Sequence, residues 1–436
     1  MNFETVLIEE LAAPIKYAIV GGPFGSNLVS KDYTPTGVPV IRGQNMGGRW
    51  VGGDFAYVSK EKAETLGSNI ARPGDLVFTQ RGTLGQVAIV PSGEYSEYIV
   101  SQSQMKVTLD AAKADVDYVY YVFRTQEQLE YIKNTSIQTG VPHTNLGILK
   151  KTPINLPPLS VQTDIAKILK ALDNRIALLR ETNATLEAIA QALFKSWFVD
   201  FDPVRAKMDG RVPEGMDEAT AELFPDGLEE SELGMVPRGW SVRPLDEIAS
   251  YLNGLALQKF PPTGSGDLPV IKIAQLRKGD TVGSDKASRN MKPEYIVHDG
   301  DVLFSWSGSL EVEIWCGGEG ALNQHLFKVT STGYPKWFYY LWTRHHLEHF
   351  RQIAASKATT MGHIQRAHLS AAKVNVPSPS VLTAANDVLH PIFDCVIGNA
   401  LQARQLESLR DTVLPRLISG QLRLPEVEAQ IEAIAA

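Results

Sequence analysis

The hydrophobic pattern along the chain is of two kinds, and each kind occurs twice. In two stretches, short runs of β-branched and aromatic residues alternate with Gly, Pro and Asp turns, a pattern typical of strands in a mixed α/β domain. A helix is predicted near the end of each stretch, at about 117–133 and 335–354. The predicted strands are Val38–Ile41, Leu76–Thr79, Val87–Val90, Met105–Leu109, Pro269–Ile273, Val302–Ser305 and Leu326–Thr330.

A seven-residue period follows each of these stretches. Ser160, just after the Pro-Pro at 157–158, is a candidate N-cap for the first helix, and Pro391 is expected to bend or start the second. Four heptads with charges between the apolar positions predict a coiled coil. The a positions are Leu169, Ile176, Asn183, Ala190 and Trp197, then Leu389, Val396, Ala403, Arg410 and Leu417; the d positions are Ile165, Leu172, Leu179, Leu186 and Leu193, then Ala385, Ile392, Asn399, Leu406 and Val413.

An antiparallel pairing of these helices places each a position opposite a d position, and it sets Asn183 against Asn399. A buried Asn is costly beside an aliphatic residue and satisfied beside another Asn, so this layer would select the register. The pairing is predicted mainly for 172–190 against 392–410. Two separate amphipathic helices, each on its own domain, are the alternative.

The two kinds of pattern recur because the chain contains an internal repeat. Six pairs of segments agree in order at a spacing of about 220–230 residues, too long for a solenoid, so each half is a domain plus a connector. The pairs are 37–46 with 267–276, 74–90 with 300–315, 100–108 with 322–330, 118–123 with 337–342, 154–160 with 374–380 and 186–198 with 406–418.

Composition changes this picture through the distribution of charge. The net charge of −7 argues against nucleic acid, but the segment 209–232 alone carries one basic and nine acidic residues and is expected to be a solvated linker. The domain stretches 1–157 and 233–376 are at −1 and +4. Two cysteines, Cys316 and Cys395, fit a reducing compartment. An acidic N-terminal segment and the lack of 18 consecutive uncharged apolar residues predict no secretion signal and no membrane span.

Several short motifs then carry a resemblance over nearly the whole chain. Taken together with the duplicated half and the heptads, they make the chain resemble the specificity subunit of type I restriction–modification systems. The second copy departs from that family's usual proline-leucine-proline-x-x-glutamine helix start, since it reads VPSPSVLTAAND. The motifs are GPFGSNL (22–28), GVPVIRG (37–43), PGDLVFTQRGTLG (73–85), LPPLSVQTDIAKIL (156–169), LFKSWFVDFDPV (193–204) and SELGMVPRGW (231–240).

The resemblance implies an α+β fold: two α/β target recognition domains joined by two long conserved helices that form an antiparallel coiled coil, with a pseudo-twofold internal repeat. It also implies a non-catalytic subunit without cofactors that binds double-stranded DNA, DNA methyltransferase subunits and, in the full complex, restriction subunits in the cytoplasm. The expected domains are recognition domain 1 at 1–157, the central helix at 158–208, the acidic linker at 209–232, recognition domain 2 at 233–376, the C-terminal helix at 377–424 and a tail at 425–436.

The helices would then serve as a ruler between two half-sites. A helix of roughly 30 residues spans about 45 Å, which places the two reading domains roughly 10–13 base pairs apart, near one turn of DNA. Inserting one heptad should lengthen the unspecified part of the recognised sequence by roughly 3 base pairs.

Candidates for reading bases are polar residues at strand ends and turns that occupy matching places in the two copies. Their side chains are mostly of the types that pair donors and acceptors with base edges. Loop residues bound to water or backbone are the alternative for each one. The candidates are Arg42, Gln44, Asn45, Arg81, Thr83, Gln102 and Gln104 in the first copy, and Lys272, Gln275, Arg277, Trp306, Asn323, Gln324 and His325 in the second. His143 and His363 also match, as turn-stabilising or phosphate-contacting residues.

Common catalytic motifs are absent: the sequence has no P-loop, no Asn-Pro-Pro-aromatic or Asp-Pro-Pro-aromatic run and no GxSxG. The glycine-rich GGPFGS (21–26) fits a turn. HHLEH (345–349) has the spacing of a zinc site on a helix, but the aligned QEQLE (126–130) has no histidine, and a His-rich polar helix face is the simpler interpretation. A zinc hydrolase and a coiled-coil scaffold with protein-binding domains are the competing hypotheses.

Aromatic and apolar residues near the helix ends have two interpretations. Trp197, Phe198, Phe201 and Leu417 would form the apolar part of a methyltransferase contact, or they would close the junction between helix and recognition domain.

Overall fold

The computed structural model describes residues 3–138, 140–356, 362–427 and 429. The chain forms two compact units. The first comprises Met1–Ile176 and Gln405–Ala436, and the second comprises Ala177–Arg404. Each unit contains one set of sheets, and the two long helices of the chain contribute one part to each unit.

The first unit contains the strands that we call the first sheet domain, together with short helices. The strands are β1 (Glu4–Leu7), β2 (Ile19–Gly21), β3 (Tyr33–Thr34), β4 (Val38–Ile41), β5 (Ala56–Val58), β6 (Ile70–Ala71), β7 (Leu76–Thr79), β8 (Val87–Ile89), β9 (Tyr98–Val100), β10 (Gln104–Val107) and β11 (Pro153–Leu156). The helices are α1 (Lys60–Thr65), α2 (Val116–Val122), α3 (Gln126–Thr135), α4 (Leu146–Lys150) and the start of α5 (Leu159–Phe194).

The second unit begins with the end of α5, and its strands β14–β23 are called the second sheet domain. The strands are β12 (Leu228–Ser231), β13 (Gly234–Pro237), β14 (Ser241–Pro244), β15 (Ser250–Asn253), β16 (Leu268–Ile271), β17 (Lys286–Ala287), β18 (Ile296–Val297), β19 (Val302–Ser305), β20 (Val312–Ile314), β21 (Gly320–Leu322), β22 (Leu326–Thr330) and β23 (Lys373–Val376). The helices are α6 (Asp202–Met208), α7 (Glu218–Leu223), α8 (Leu245–Ile248), α9 (Ile273–Lys278), α10 (Lys336–His345), α11 (Leu347–Ser356), α12 (Arg366–Ala371) and α13 (Pro379–Ile418).

The sheets of the two domains have matching topologies. The order β2-β10-β7-β8 in the first domain corresponds to β15-β22-β19-β20 in the second, and β1-β11 corresponds to β14-β23. The order β5-β4-β9-β6 corresponds to β17-β16-β21-β18, and the central pairs β4–β9 and β16–β21 are both parallel. The internal repeat of the sequence is therefore a repeat of the fold, with mixed helix and sheet in each copy.

The helix predicted after the strands is divided in both copies. The first copy has α2 and α3, because Thr125 caps α3 by accepting a hydrogen bond from the backbone N–H of Gln128 at 3.3 Å. The second copy has α10 and α11, with His346 between them. The predictions of single helices at 117–133 and 335–354 were wrong in this respect, since a local cap competes with an apolar pattern that continues through the break.

The first long helix begins one residue before its predicted cap, and the second runs through the proline that was expected to bend or start it. Helix α5 begins at Leu159, so Ser160 lies inside the first turn, and Pro158 supplies the carbonyl for the Gln162 N–H at 3.1 Å. Helix α13 begins at Pro379 and continues through Pro391, which is exposed and does not start the helix. Most of the predicted a and d positions are buried, including Leu169, Leu172, Leu389 and Val413.

By length and composition alone, α13 could also cross a membrane. The mean hydropathy of an 18-residue window in it is 1.2, and 28% of that window is buried. The window contains up to two charged residues, so it does not conflict with the lack of 18 consecutive uncharged apolar residues in the sequence. A single helix of this kind is weak support for a membrane span, because core helices of soluble proteins meet the same criterion.

The acidic segment 209–232 is more ordered than a solvated linker. It contains α7 and β12, and β12 pairs with β13. Asp217 caps α7 through a hydrogen bond from the Thr220 N–H at 2.9 Å. Phe224 is buried and packs edge-on against Trp197 at a ring-centroid distance of 5.6 Å. The charge thus lies on the surface of a segment that is attached to the core of the second unit.

Aromatic side chains at the end of α5 form part of that core. Trp197, Phe198 and Phe201 are buried, and Phe198 lies 5.7 Å from Trp337 between ring centroids. Leu417 is buried as well. Trp197, Phe198 and Phe201 thus pack in the junction between helix and sheet domain, and none of the four residues offers an exposed apolar surface.

Candidate nucleic-acid interface

The carboxyl ends of the parallel strands β4 and β9 lie side by side, and five loop segments of the first unit meet there. The Ser101 N–H donates to the Ile41 carbonyl at 3.0 Å, and the Gln80 N–H donates to the Ser103 carbonyl at 2.7 Å. The Thr144 N–H donates to the Gln80 carbonyl at 2.9 Å. We call residues 22–28, 41–46, 80–83, 101–104 and 143–144 the first polar edge.

The second sheet domain makes the same three backbone connections at the equivalent positions. The Asn323 N–H donates to the Ile271 carbonyl at 3.3 Å, and the Trp306 N–H donates to the His325 carbonyl at 3.3 Å. The Ile364 N–H donates to the Trp306 carbonyl at 3.0 Å. We call residues 253–257, 271–277, 306–309, 323–325 and 362–364 the second polar edge.

One glycine in each copy allows this close approach. A Cβ on Gly22 would lie 1.9 Å from the Ser101 carbonyl oxygen, and a Cβ on Gly254 would lie 2.2 Å from that of Asn323. Neither position has room for a side chain, so both glycines are required by the packing of one backbone on another.

A buried ion pair lies behind each edge on the same pair of strands. In the first unit Lys106 Nζ lies 3.1 Å from Asp75 Oδ2, with both side chains almost fully buried. In the second unit Lys328 Nζ lies 2.7 Å from Asp301 Oδ2, with side-chain exposures of 13% and 23%. We call the strands, backbone connections, glycine and charge pair that support each polar edge its frame. The two frames share all of these features.

The side chains that the first frame carries fall into two groups. Asn45 and Gln104 are buried, and Asn45 Nδ2 donates to the carbonyls of Gly52 and Asp54, both at 3.0 Å. Gln44 also donates to the Asp54 carbonyl, at 3.0 Å. Arg42 is half-buried, whereas Gln44, Arg81, Thr83 and Gln102 are exposed.

Gln102 and His143 stabilise loops of the first polar edge. Gln102 Nε2 donates to the carbonyls of Gly25 and Leu28 at 2.7 and 3.1 Å. His143 forms a β-bridge with Arg81, and its Nδ1 lies 3.1 Å from the Val141 carbonyl. Within the described residues, no hydrogen bond or ion pair engages the Arg81 guanidinium, which leaves its donors directed to solvent.

The side chains of the second polar edge include more aromatic rings than those of the first. Trp306 Nε1 donates to Asn253 Oδ1 at 2.9 Å, and the Trp306 ring lies 6.0 Å from the ring of His325. His325 Nδ1 and Ser307 Oγ are 2.9 Å apart, and His363 forms a β-bridge with Ser307. The bridge of Ser307 with His363 is the equivalent of the bridge of Arg81 with His143.

The remaining candidates of the second copy differ in exposure. Asn323 is buried, and its Oδ1 accepts a hydrogen bond from the His325 N–H at 3.2 Å. Lys272 is exposed and paired with Asp285. Arg277 is exposed, and Gln275, Trp306, Gln324 and His325 are half-buried.

Sequence reasoning did not identify three residues of these edges. Asn253 and Ser307 orient Trp306 and His325, and neither belongs to a motif, so only the fold shows their role. Phe24 lies within GPFGSNL and is 90% exposed. Its position in a glycine-rich turn was the available signal.

The HHLEH segment does not have the geometry that the competing zinc-site hypothesis requires. His345 ends α10 and His349 lies in α11, so the continuous helix that the spacing requires is interrupted. Glu348 pairs with Arg351 at 3.6 Å. Burial lowers the pKa of His346 to about 4, and its Nε2 lies 2.9 Å from the Lys373 carbonyl. Across the described ranges, no group of three or more His, Cys, Asp or Glu side chains could hold a metal ion.

Comparison with known proteins defines the class of this chain. The family model for the type I restriction modification DNA specificity domain matches residues 25–188 and 237–397, well over half of the chain. The chain therefore belongs to this family, the specificity subunits of type I restriction–modification systems. Each match covers most of one sheet domain and part of the helix that follows it.

Curated relatives and a solved structure agree with this assignment. The chain is 24% identical to the type I restriction enzyme MjaIX specificity subunit of Methanocaldococcus jannaschii, over 94% of this chain and 92% of the relative. It is 24% identical to the HindI specificity subunit of Haemophilus influenzae, over 80% and 87% of the two chains. The crystal structure of a type I S subunit from M. genitalium has the same fold, with a TM-score of 0.53, 15% identity and 96% coverage of both chains.

Proposed function

We propose that this chain is the non-catalytic subunit that gives a type I restriction–modification complex its DNA sequence specificity. Each sheet domain reads one half of a bipartite DNA target through its polar edge. The candidate base contacts are the exposed and half-buried members of the two polar edges, with Arg81 foremost in the first and His325 and Trp306 in the second.

The observation that carries this proposal is the contrast between frame and side chains. The two polar edges share their backbone connections, yet equivalent places hold Arg81 and Ser307, or Ser103 and His325. A stability requirement alone would not need different polar groups on the same frame. Two half-sites of different sequence do, because base identity is read by the donor and acceptor pattern of the side chains.

We propose further that α5 and α13 form an antiparallel coiled coil that acts as the spacer. Asn399 Nδ2 donates to Asn183 Oδ1 at 2.9 Å, and Asn183 Nδ2 donates to the Val396 carbonyl at 2.8 Å. In the first unit, Arg410 Nη1 donates to Asp173 Oδ1 at 2.8 Å. These contacts support the predicted register, since each amide group of the asparagine layer finds a partner.

The partners follow from this role. The outer faces of the helices would bind DNA methyltransferase subunits, and restriction subunits would join that assembly in the cytoplasm. Exposed apolar residues on α5, Leu178 and Ile189, are available for such contacts. The modest charge of the sheet domains supports a division of labour, in which partner subunits supply much of the phosphate attraction and this chain supplies specificity.

The proposal is tested by mapping adenine methylation in cells that express the chain with its methyltransferase subunit. The wild-type chain should direct marks to a split motif with an unspecified centre. Arg81→Ala should relax one half of the motif and His325→Ala only the other, each by about 1–3 kcal/mol of discrimination. Lys60→Ala and Lys292→Ala, which replace exposed lysines outside the polar edges, are the matched controls.

The outcomes separate the proposal from its rival. Marks at an unsplit site would contradict bipartite reading. No DNA binding by the reconstituted complex at physiological salt would favour the protein-binding scaffold. An insertion of one heptad in both helices that leaves the spacer of the motif unchanged would contradict the ruler.

A further inference from the structure

The loop that follows β2 carries an exposed aromatic side chain. Residues Gly22 to Gly25 read Gly-Pro-Phe-Gly, and Phe24 is 90% exposed, the largest exposed fraction among the large apolar residues that the structure describes. The loop belongs to the first polar edge, where Gln102 and Arg81 also lie.

This loop is held firmly on both sides of Phe24. The Gly22 N–H donates to the Gln104 carbonyl at 2.8 Å, and Gly22 packs so closely on Ser101 that no Cβ fits. Beyond Phe24, Gln102 holds the Gly25 and Leu28 carbonyls, and Leu28 is buried. The backbone of Phe24 is therefore held in place, and its exposed ring projects from a loop that is attached to Gln102, a predicted base-reading residue.

The second sheet domain shows that the frame does not require this exposed ring. After Gly254, the equivalent chain continues through Ala256 into a short 3₁₀ turn at Leu257–Lys259. By the equivalence of Gly22 and Gly254, Phe24 corresponds to Ala256, which precedes this turn as Phe24 precedes the 3₁₀ turn at Gly25–Asn27. The second copy thus has only a methyl group where the first copy projects a phenyl ring into solvent.

We propose that Phe24 is a further DNA-contacting residue of the first sheet domain, an apolar wedge that inserts at a base step of its half-site. This inference rests on the proposed function. Apolar side chains on rigid loops insert between base pairs in this manner, and the burial of the ring offsets the loss of stacking. The wedge adds sensitivity to how easily that step unstacks, which the hydrogen-bonding residues of the edge do not read.

The test uses the complex of the full chain with its methyltransferase subunit and a duplex that contains the mapped motif. Phe24→Ala should weaken binding about tenfold, and Phe24→Leu should lose less because it keeps an apolar side chain. Ile15→Ala, which shortens another exposed apolar residue of the same unit, is the matched control and should bind as wild type. Thermal unfolding of all three variants should match that of the wild-type chain.

A second readout distinguishes insertion at one base step from nonspecific apolar contact with the DNA. With 2-aminopurine placed in turn at each adenine position of the first half-site, fluorescence should rise at one step with the wild-type chain and not with Phe24→Ala. Wild-type affinity of Phe24→Ala, or no fluorescence rise at any position, would overturn the inference. If the wild-type complex itself recognises no split motif, the proposed function fails first, and that result is read independently of Phe24.

Discussion

The two sheet domains have the same frame but are fastened to their long helices by different chemistry. In the first unit, Gln162 near the start of α5 accepts a hydrogen bond from the Asp115 N–H at 2.9 Å and donates to the Lys113 carbonyl at 3.2 Å. Further along α5, Asp173 accepts a hydrogen bond from the Tyr121 hydroxyl at 2.7 Å. These attachments are polar and half-buried or buried.

In the second unit, aromatic packing and charge pairs attach the sheet domain to the long helices. Trp337 Nε1 donates to Asn386 Oδ1 of α13 at 3.0 Å, and Phe393 packs against Tyr340 at 5.5 Å between ring centroids. Arg404 makes two hydrogen bonds of 2.8 Å to the Asp299 carboxylate. The departure of the second helix start from the family pattern is thus matched by a different attachment, with Leu382 where the first copy has Gln162.

This difference teaches which parts of the repeat are constrained. The glycine, the buried Lys–Asp pair and the backbone connections occur in both copies, because each serves the frame itself. The helix attachments and the polar side chains of the edges differ. Many arrangements can attach a helix, and under the proposed function each half-site requires its own set of polar side chains.

The largest effect should come from the shared glycines. Gly22→Ala and Gly254→Ala each place a Cβ against a backbone oxygen that has no room to move, and each should cost more than about 4 kcal/mol. Thermal unfolding of the full chain measures this. Gly47→Ala and Gly333→Ala, where nothing lies within 4 Å of the added Cβ, should change little. A mild effect of either core substitution would contradict a common rigid frame.

The buried ion pairs should show a graded effect. Lys106→Met leaves Asp75 charged in an almost fully buried site and should cost about 3 kcal/mol, whereas Lys328→Met should cost about 2 kcal/mol because Asp301 is more exposed. Urea unfolding measures both. The double variant Lys106→Met with Asp75→Asn should recover part of the stability that Lys106→Met loses. Equal losses of stability for Lys106→Met and Lys328→Met would contradict the idea that burial sets the size of the effect.

A half-buried carboxyl on β20 should give the second unit a pH dependence that the equivalent strand of the first unit lacks. Burial raises the pKa of Glu313 on β20 to about 7, while Arg344 lowers it and Glu187 raises it. Because the folded state favours the protonated carboxyl, the contribution of Glu313 to stability should fall by about 2 kcal/mol as pH rises from 4.5 to 7, a value reduced because the side chain is only partly buried. Burial of His346, which lowers its pKa, acts in the opposite direction over this range. Ala88 occupies the equivalent place on β8 and cannot titrate.

Glu313→Gln provides the check on that assignment. Urea unfolding of the full chain gives the free energy of unfolding at pH 5 and pH 7.5. Relative to the wild-type chain, this variant should gain stability at pH 7.5 compared with pH 5. An unchanged difference between the two pH values would assign the effect to other groups.

The smallest effect should come from the exposed clamp of the second unit. Arg404→Ala removes the ion pair with Asp299. Because the side chains of Arg404 and Asp299 are 39% and 28% exposed, the change should lower the free energy of unfolding by only about 1 kcal/mol. Arg416→Ala, an exposed arginine further along α13, is the control. If the clamp also fixes the second sheet domain on its helix, the methylated motif should tolerate spacers one base pair longer or shorter, and an unaltered spacer would limit Arg404 to stability.

Sequence reasoning anticipated the repeat and most strands because β-branched runs, glycine turns and heptads are local signals. It anticipated the positions of the polar edges, since they follow strand ends. It did not separate Asn45 and Gln104, which are buried, from Arg81, which is exposed, because burial depends on neighbours distant in the chain. It also expected a solvated linker where Phe224 enters the core, since a high local charge hides a single anchoring aromatic.

The sequence by itself therefore determined the duplication, the mixed α/β character of each copy, the heptad helices and the residue types available for reading DNA. Only the tertiary structure decided that helix attachment differs between the copies, that HHLEH spans two helices, and that Phe24 is held in solvent. The physical reason is that strand and helix signals are encoded by neighbours in sequence, whereas burial, hydrogen-bond partners and the room beside a glycine are set by chain segments up to a hundred residues and more apart.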